Sequence, residues 1–81
     1  MKKILIVDDE ANIRLLIGKA LQDADYEVQT ASDGMDAMRK YQGFQPDLVV
    51  TDIIMPNKEG VQLITELKSI APQLKIIAIS G

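Results

Sequence analysis

The pattern of apolar and polar residues changes along this chain between one typical of strands and one typical of helices. Ile4 to Val7 form a continuous apolar run, which is typical of a central parallel strand that is covered on both faces. From Glu10 the apolar residues recur at the spacing of one helix face, and Asp23 to Asp25 end the pattern, so we predict an amphipathic helix here. Its apolar face is predicted to consist of Ile13, Leu16, Ile17, Ala20, Leu21 and Ala24.

Predicted strands and helices continue to alternate through the rest of the chain. Residues 26 to 30 alternate apolar and polar, which predicts an edge strand with one solvated face. Ser32 or Asp33 is expected to cap a second helix, whose apolar side is Met35, Ala37, Met38 and Tyr41. A second buried strand, a third helix and a last strand are predicted over Leu48–Thr51, Val61–Ile70 and Lys75–Ile79. This β-α-β-α-β-α-β order predicts an α/β fold, with helices packed on a parallel sheet.

Composition narrows the class of protein. The 81 residues make one small domain or a piece of one. The net charge of −3 and the pI near 4.7 argue against a nucleic-acid partner, which would need a basic face. The chain has no cysteine and no apolar run long enough for a signal peptide or a membrane span, so we expect a cytoplasmic protein without a membrane partner.

Three aspartates follow two of the predicted buried strands. Asp8 and Asp9 come directly after the first strand, and Asp52 follows the run that begins at Leu48. If these strands are parallel neighbours, the three carboxylates meet at the carboxyl edge of the sheet, where open α/β sheets bind ligands. Like charges at close range disfavour joint ionisation unless a cation neutralises them. The arrangement therefore predicts a hard divalent metal, most simply Mg²⁺.

These motifs, at these spacings, resemble the receiver domain of two-component response regulators. The resemblance rests on Asp8-Asp9, Asp52, Met55-Pro56 with Gly60 behind it, and Ser80. It implies a flavodoxin-like, doubly wound sheet with the strand order 2-1-3-4. It also implies a signalling switch that catalyses only its own phosphorylation and dephosphorylation, rather than a metabolic enzyme.

The resemblance also assigns roles to single residues. Asp52 matches the phosphoacceptor, which takes a phosphoryl group from a histidine kinase or a phosphotransfer protein. Asp8, Asp9, Asp52 and the backbone carbonyl of Ile54 match the ligands of Mg²⁺. Ser80 matches the hydroxyl that moves toward the phosphoryl group and reports its presence.

By the same resemblance, residues 1–81 are expected to be a partial receiver. The fourth helix, the fifth strand and the fifth helix of the family would be absent, together with a phosphoryl-contacting lysine and an aromatic switch residue. Ile76 to Ile79 would then form an exposed apolar edge, and such edges pair with other chains. We therefore expect a homodimer or a higher self-associated state through this strand.

Two other functions remain open on the sequence alone. An aspartate-nucleophile phosphotransferase or phosphatase would also use Asp and Mg²⁺ on a parallel sheet, but it carries Asp-x-Asp after its first strand, where this chain has adjacent acids. A self-assembling folding fragment without activity is the second alternative. At the residue level, Asp52 and Ser80 could each be an ordinary residue at a strand end.

Overall fold

Four parallel strands and three helices alternate along the chain in the computed structural model, which describes residues 1–53 and 60–79. The strands stand in the order β2-β1-β3-β4. This confirms the predicted doubly wound α/β class and the predicted strand order. The elements are β1 Lys3–Val7, α1 Ala11–Asp23, β2 Glu27–Ala31, α2 Gly34–Phe44, β3 Leu48–Asp52, α3 Gly60–Ile70 and β4 Lys75–Ile79.

The register of the central strands aligns their carboxyl ends. Val7 of β1 pairs with Ala31 of β2 on one side and with Thr51 of β3 on the other. Residues Ile4 to Val7 are buried, as predicted for a strand in the middle of the sheet. Because the strands are parallel and in this register, Asp8 and Asp52 emerge side by side.

Helices cover both faces of the sheet. α2 and α3 lie over the face that carries Leu5, Val7 and Val49, and they complete the main core there. α1 lies on the opposite face, where Gly18 comes close to Ile6 and Val28. The buried residues of the main core are Leu5, Val7, Ala31, Ala37, Phe44, Val49, Leu63, Leu67 and Leu74.

The start of each of the first two helices follows a different local rule. Of the two caps that the sequence offers for α2, Asp33 is the one used, because its carboxylate accepts a hydrogen bond from the Asp36 N–H at 2.8 Å. α1 begins after Glu10, whose side chain makes no capping bond. Instead the Asp8 carboxylate accepts a hydrogen bond from the Glu10 N–H at 2.9 Å. One of the predicted metal ligands thus shapes the turn into α1.

The predicted apolar face of α1 is rotated relative to the observed one. Leu16 is 68% exposed and Ala20 is also exposed, whereas Gly18 is the buried residue of this helix. Glycine has no side chain to register in a hydrophobic pattern, yet a Cβ added at Gly18 would lie 3.8 Å from Val28 Cγ1. The burial of Leu16 and Ala20 was therefore wrongly predicted, because the close approach occurs at the residue that hydrophobicity does not mark.

Two of the exposed apolar residues lie on β4. Ile77 is 51% exposed and Ile79 is 38% exposed, and β4 forms the end of the sheet. Ile76, which precedes them on the strand, packs against the main core, so alternation along the strand places Ile77 and Ile79 on the opposite face of the sheet, which is the face that carries α1. We call Ile77 and Ile79 the apolar patch. Among the described residues, no helix is long and apolar enough to cross a membrane.

Candidate functional site

Three carboxylates converge at the carboxyl edge of the sheet. Asp8, Asp9 and Asp52 each offer one oxygen, and these three oxygens lie within 4.8 Å of one another. Asp8 is buried, Asp52 is half-buried and Asp9 is exposed, so the cluster opens toward solvent on one side. The predicted meeting of these residues is thus what the parallel register of β1 and β3 produces.

The backbone and the carboxylate of Asp8 are held by three hydrogen bonds. The Asp8 N–H donates to the Ala31 carbonyl at 3.1 Å, and its carboxylate accepts from the Glu10 N–H. The Asp8 carbonyl accepts from Nη1 of Arg14 at 2.7 Å. These contacts tie the turn after β1 to β2 on one side and to α1 on the other.

Asp52 is positioned by the end of β3 and by its neighbours. Thr51 is fully buried, and its hydroxyl donates to the Asp52 carbonyl at 2.9 Å. The Ile53 N–H donates to the Ile79 carbonyl at 3.0 Å, which ties the residue after Asp52 to the end of β4. Both contacts fix the strand end from which the Asp52 side chain projects.

Gly60 closes against the same strand end. Its N–H donates to the Ile53 carbonyl at 2.6 Å. A Cβ added at Gly60 would lie 2.1 Å from the Asp52 carbonyl oxygen and 2.5 Å from the Ile53 Cα, distances that real Cβ atoms essentially never show. The first residue of α3 must therefore lack a side chain for this packing to exist. In the sequence Gly60 stood out as part of the motif that begins at Met55-Pro56, but nothing there indicated this contact.

Two residues of the predicted site lie outside the described part of the structure. They are Ile54, expected to offer its carbonyl to the metal, and Ser80, expected to be the switch hydroxyl. Met55 and Pro56, which contribute to the resemblance, lie outside it as well. Their roles stay predictions.

Arg14 is a site residue that the sequence did not reveal. No role was assigned to it from the sequence, yet the side chain of this half-buried residue donates a hydrogen bond to the backbone of a predicted metal ligand. The available signal was weak: a single cation early in the helix that follows an acidic pair. Sequence alone does not show whether such a side chain turns back toward the strand or out to solvent.

The donor set suits a hard divalent cation. All three groups are carboxylates, which are the ligands that Mg²⁺ takes through one or two residues while it keeps several waters. When both are ionised, Asp8 and Asp52 repel each other by roughly 3 kcal/mol if the effective dielectric constant is about 20. A bound divalent ion removes that cost, so the cluster fits Mg²⁺ on its chemistry as well as on its geometry.

Comparisons with known proteins agree with this geometry. Residues 4–81 match the family model described as the response regulator receiver domain. The chemotaxis protein CheY of Thermotoga maritima is 41% identical over 81 residues, which cover 99% of this chain and 68% of that protein. The chain thus spans about two-thirds of the length of this curated relative.

Two solved structures bear on the site. The response regulator TrrA of Thermotoga maritima, in complex with Mg²⁺–BeF, is similar with a TM-score of 0.94 and 41% identity, covering 99% of this chain and 70% of that one. A structure of the histidine kinase ThkA in complex with TrrA matches with a TM-score of 0.93 and 41% identity, covering 100% of this chain and 70% of the matched one.

Proposed function

Because this chain belongs to the response regulator receiver family of two-component systems, we propose that it is a phosphoacceptor module that takes a phosphoryl group on Asp52 from a histidine kinase or a phosphotransfer protein. The observation that carries the proposal is the convergence of Asp8, Asp9 and Asp52 at the carboxyl edge of the sheet. The complex of the related TrrA with the kinase ThkA supports a kinase as the partner. The module acts as a cytoplasmic switch rather than as a metabolic enzyme.

The proposed transfer is a displacement at phosphorus. A carboxylate oxygen of Asp52 attacks the phosphorus of a phosphohistidine, a P–O bond forms as the P–N bond breaks, and the electron pair leaves with the imidazole nitrogen. Phosphoryl transfer depends mainly on positioning and on charge stabilisation. Bonds to Ile53 and Gly60 hold the strand end that aims Asp52.

Asp8 and Asp9 would hold Mg²⁺ beside the nucleophile. The bound ion would supply the positive charge that neutralises the phosphoryl oxygens. The Mg²⁺–BeF complex of the similar TrrA supports this assignment. By the same family resemblance we propose that the Ile54 carbonyl contributes to the metal site and that Ser80 is the switch hydroxyl. The support for Ser80 is that the residue before it, Ile79, pairs with Asp52 across the sheet.

The test uses a small-molecule phosphodonor. The chain is incubated with acetyl phosphate with and without Mg²⁺, and its intact mass is measured. We expect a gain of one phosphoryl group that requires Mg²⁺ and is absent in Asp52→Asn. Labelling of Asp52→Asn to the same extent, or no labelling of the unchanged chain, would contradict the proposal.

A second proposal concerns self-association. Among the described strands, β4 stands at one end of the sheet, and its apolar patch of Ile77 and Ile79 is exposed. Strand edges of this kind pair with other chains, and symmetric dimers are the commonest closed assemblies. We propose that a second copy of this chain covers the edge and the patch.

Sedimentation velocity over a range of protein concentrations tests this proposal. We expect a concentration-dependent dimer that Ile77→Lys shifts to monomer, because the lysine would bring a charge into the contact. Val61→Lys is the matched control, since Val61 is 58% exposed on α3, on the opposite side of the sheet. A monomer at high micromolar concentration, or equal effects of the two substitutions, would rule the proposed interface out.

A further inference from the structure

One peptide group joins two of the three carboxylate residues. Asp8 and Asp9 are consecutive, so the carbonyl of Asp8 and the N–H of Asp9 belong to the same planar unit. Nη1 of Arg14 donates to that carbonyl at 2.7 Å, a short distance for a bond from a charged donor. The orientation of this one plane decides where the Asp9 side chain leaves the backbone.

The other atoms of Asp8 are fixed independently of Arg14. Its N–H is bonded to the Ala31 carbonyl of β2, and its carboxylate is bonded to the Glu10 N–H. The second of these bonds closes a turn that includes the peptide between Asp8 and Asp9 and so limits its rotation, but neither bond contacts the Asp8 carbonyl itself. Among the described residues, the hydrogen bond that the Asp8 carbonyl accepts comes from Arg14, so Arg14 adds a direct constraint on this plane.

Arg14 is well suited to hold a backbone plane. Its own N–H donates to the Glu10 carbonyl at 3.1 Å in the first turn of α1, so the side chain starts from a rigid base. The guanidinium is planar and permanently charged, and its donors have fixed directions. The half-buried side chain therefore connects the helix to the turn that carries the metal ligands.

We infer that Arg14 is a positioning residue of the metal site, which orients the Asp9 carboxylate by fixing the peptide plane before it. This inference rests on the proposed function, because it assumes that the acidic cluster binds Mg²⁺. Arg14 is not one of the proposed metal ligands. It acts through the backbone of a ligand, as the outer partners of metal ligands do in other proteins.

Positioning and plain electrostatics predict opposite effects of removing Arg14. Loss of a positive charge near the cluster leaves the site more negative and would tighten Mg²⁺ binding. Loss of the hydrogen bond removes the direct constraint on the Asp8 carbonyl, which would let the peptide plane before Asp9 move more widely and would weaken Mg²⁺ binding. Outer-partner mutations commonly cost at least about 10-fold in metal affinity, so we expect the positioning effect to dominate in Arg14→Met.

The experiment measures Mg²⁺ affinity by titration calorimetry, with ¹H–¹⁵N NMR spectra as a structural readout. The variants are Arg14→Met, Arg14→Lys and, as a charge-matched control on the same helix, Lys19→Met. We expect about 10-fold weaker binding in Arg14→Met, partial recovery in Arg14→Lys and little change or slight tightening in Lys19→Met. We also expect the Asp9 amide resonance of Arg14→Met to move before Mg²⁺ is added, while Leu63 and Leu67 keep their shifts.

The outcomes separate the inference from the function on which it rests. Mg²⁺ affinity in Arg14→Met that equals or exceeds that of the unchanged chain would overturn the positioning role and leave the proposed function standing. If the Asp9 resonance stayed in place in Arg14→Met, the peptide plane before Asp9 would not depend on Arg14, and the positioning role would be wrong. Failure of the unchanged chain to bind Mg²⁺ would overturn the metal site and this inference together.

Discussion

At the scale of single residues, Gly60 shows how the backbone around Asp52 limits substitution. A methyl group at this position would overlap the Asp52 carbonyl oxygen, so Gly60→Ala must push the start of α3 away from β3. We expect a loss of at least about 1–3 kcal/mol in the free energy of unfolding and a weaker Mg²⁺ affinity. Urea unfolding followed by circular dichroism and a Mg²⁺ titration measure the two effects.

A second glycine provides the control for that substitution. Gly43 lies inside α2, and a Cβ added there would meet no atom within 4 Å. Gly43→Ala should therefore raise the free energy of unfolding by roughly 0.5–1 kcal/mol, the gain in helix propensity. Equal free energies of unfolding in the two alanine variants would show that the close approach at Gly60 does not affect stability.

Asp36 makes the stability of the fold depend on pH in the acid range. The hydrogen bond from Arg39 lowers the pKa of Asp36; partial burial opposes this shift, and the Ser32 N–H and Lys40 add to it. Because the folded pKa lies below the unfolded value, the stabilisation is present above that value, near 3.8, and is lost as the pH falls through the lowered one. We expect Asp36→Asn to lower the free energy of unfolding by about 0.3–1 kcal/mol at pH 7, since Arg39 is largely exposed.

The pH dependence of that difference is the measurement. Urea unfolding of the unchanged chain and of Asp36→Asn is compared between pH 7 and about pH 2. The two stabilities should converge at the acid end, where the aspartate is protonated. A gap that keeps its size down to the lowest pH would mean that packing rather than charge accounts for the effect.

At the scale of secondary-structure elements, α3 is attached to the sheet by two leucines. Leu63 and Leu67 are fully buried and belong to the same core as Leu5 and Val49. Leu67→Ala should lower the free energy of unfolding by about 2–5 kcal/mol, because it removes apolar contact and leaves a cavity. Ile70→Ala, at a position of the same helix that is 56% exposed, should cost much less. Similar losses in urea unfolding would contradict this account of how α3 is held.

Elements of this fold were predictable to different degrees. β1 was predicted because its apolar run is continuous. The meeting of Asp8 and Asp52 could be expected because each directly follows a predicted buried strand and the two strands are parallel neighbours. The rotation of α1 could not be expected, because the residue at which the helix comes close to the sheet is Gly18. Helix periodicity reports which residues are apolar, and a glycine contact lies outside that signal.

The candidate site also contains residues that the sequence predicted and contacts that it did not. The identity of its carboxylates followed from their positions at strand ends, which are fixed by sequence order. The contacts of Arg14 and Gly60 depend on where a helix comes to rest against the sheet. Such contacts join elements that are separated by a turn or a loop, and neither hydrophobic period nor spacing along the chain encodes them.

At the scale of the whole molecule, the acidic cluster works against folding until it is neutralised. Asp8, Asp9 and Asp52 bring three negative groups within 4.8 Å in a chain whose net charge is already −3. Asp9 is the exposed member of the three, so Asp9→Asn removes one charge with little disturbance of packing. This substitution should raise the thermal midpoint in the absence of Mg²⁺, since it relieves repulsion in the folded state.

Addition of Mg²⁺ should make the thermal midpoint of the unchanged chain higher than that of Asp9→Asn, the reverse of the order without Mg²⁺. A ligand that binds only the folded state stabilises it by about 2.7 kcal/mol at 100 times its dissociation constant, so the unchanged chain should gain in thermal midpoint as Mg²⁺ is added. Asp9→Asn lacks one of the proposed ligands and should gain much less. Thermal unfolding of both proteins with Mg²⁺, and with matched ionic strength from NaCl as a control for screening, measures the crossing. Equal gains in MgCl₂ and NaCl would mean that the cluster is only screened, not occupied, and the metal site would then be wrong.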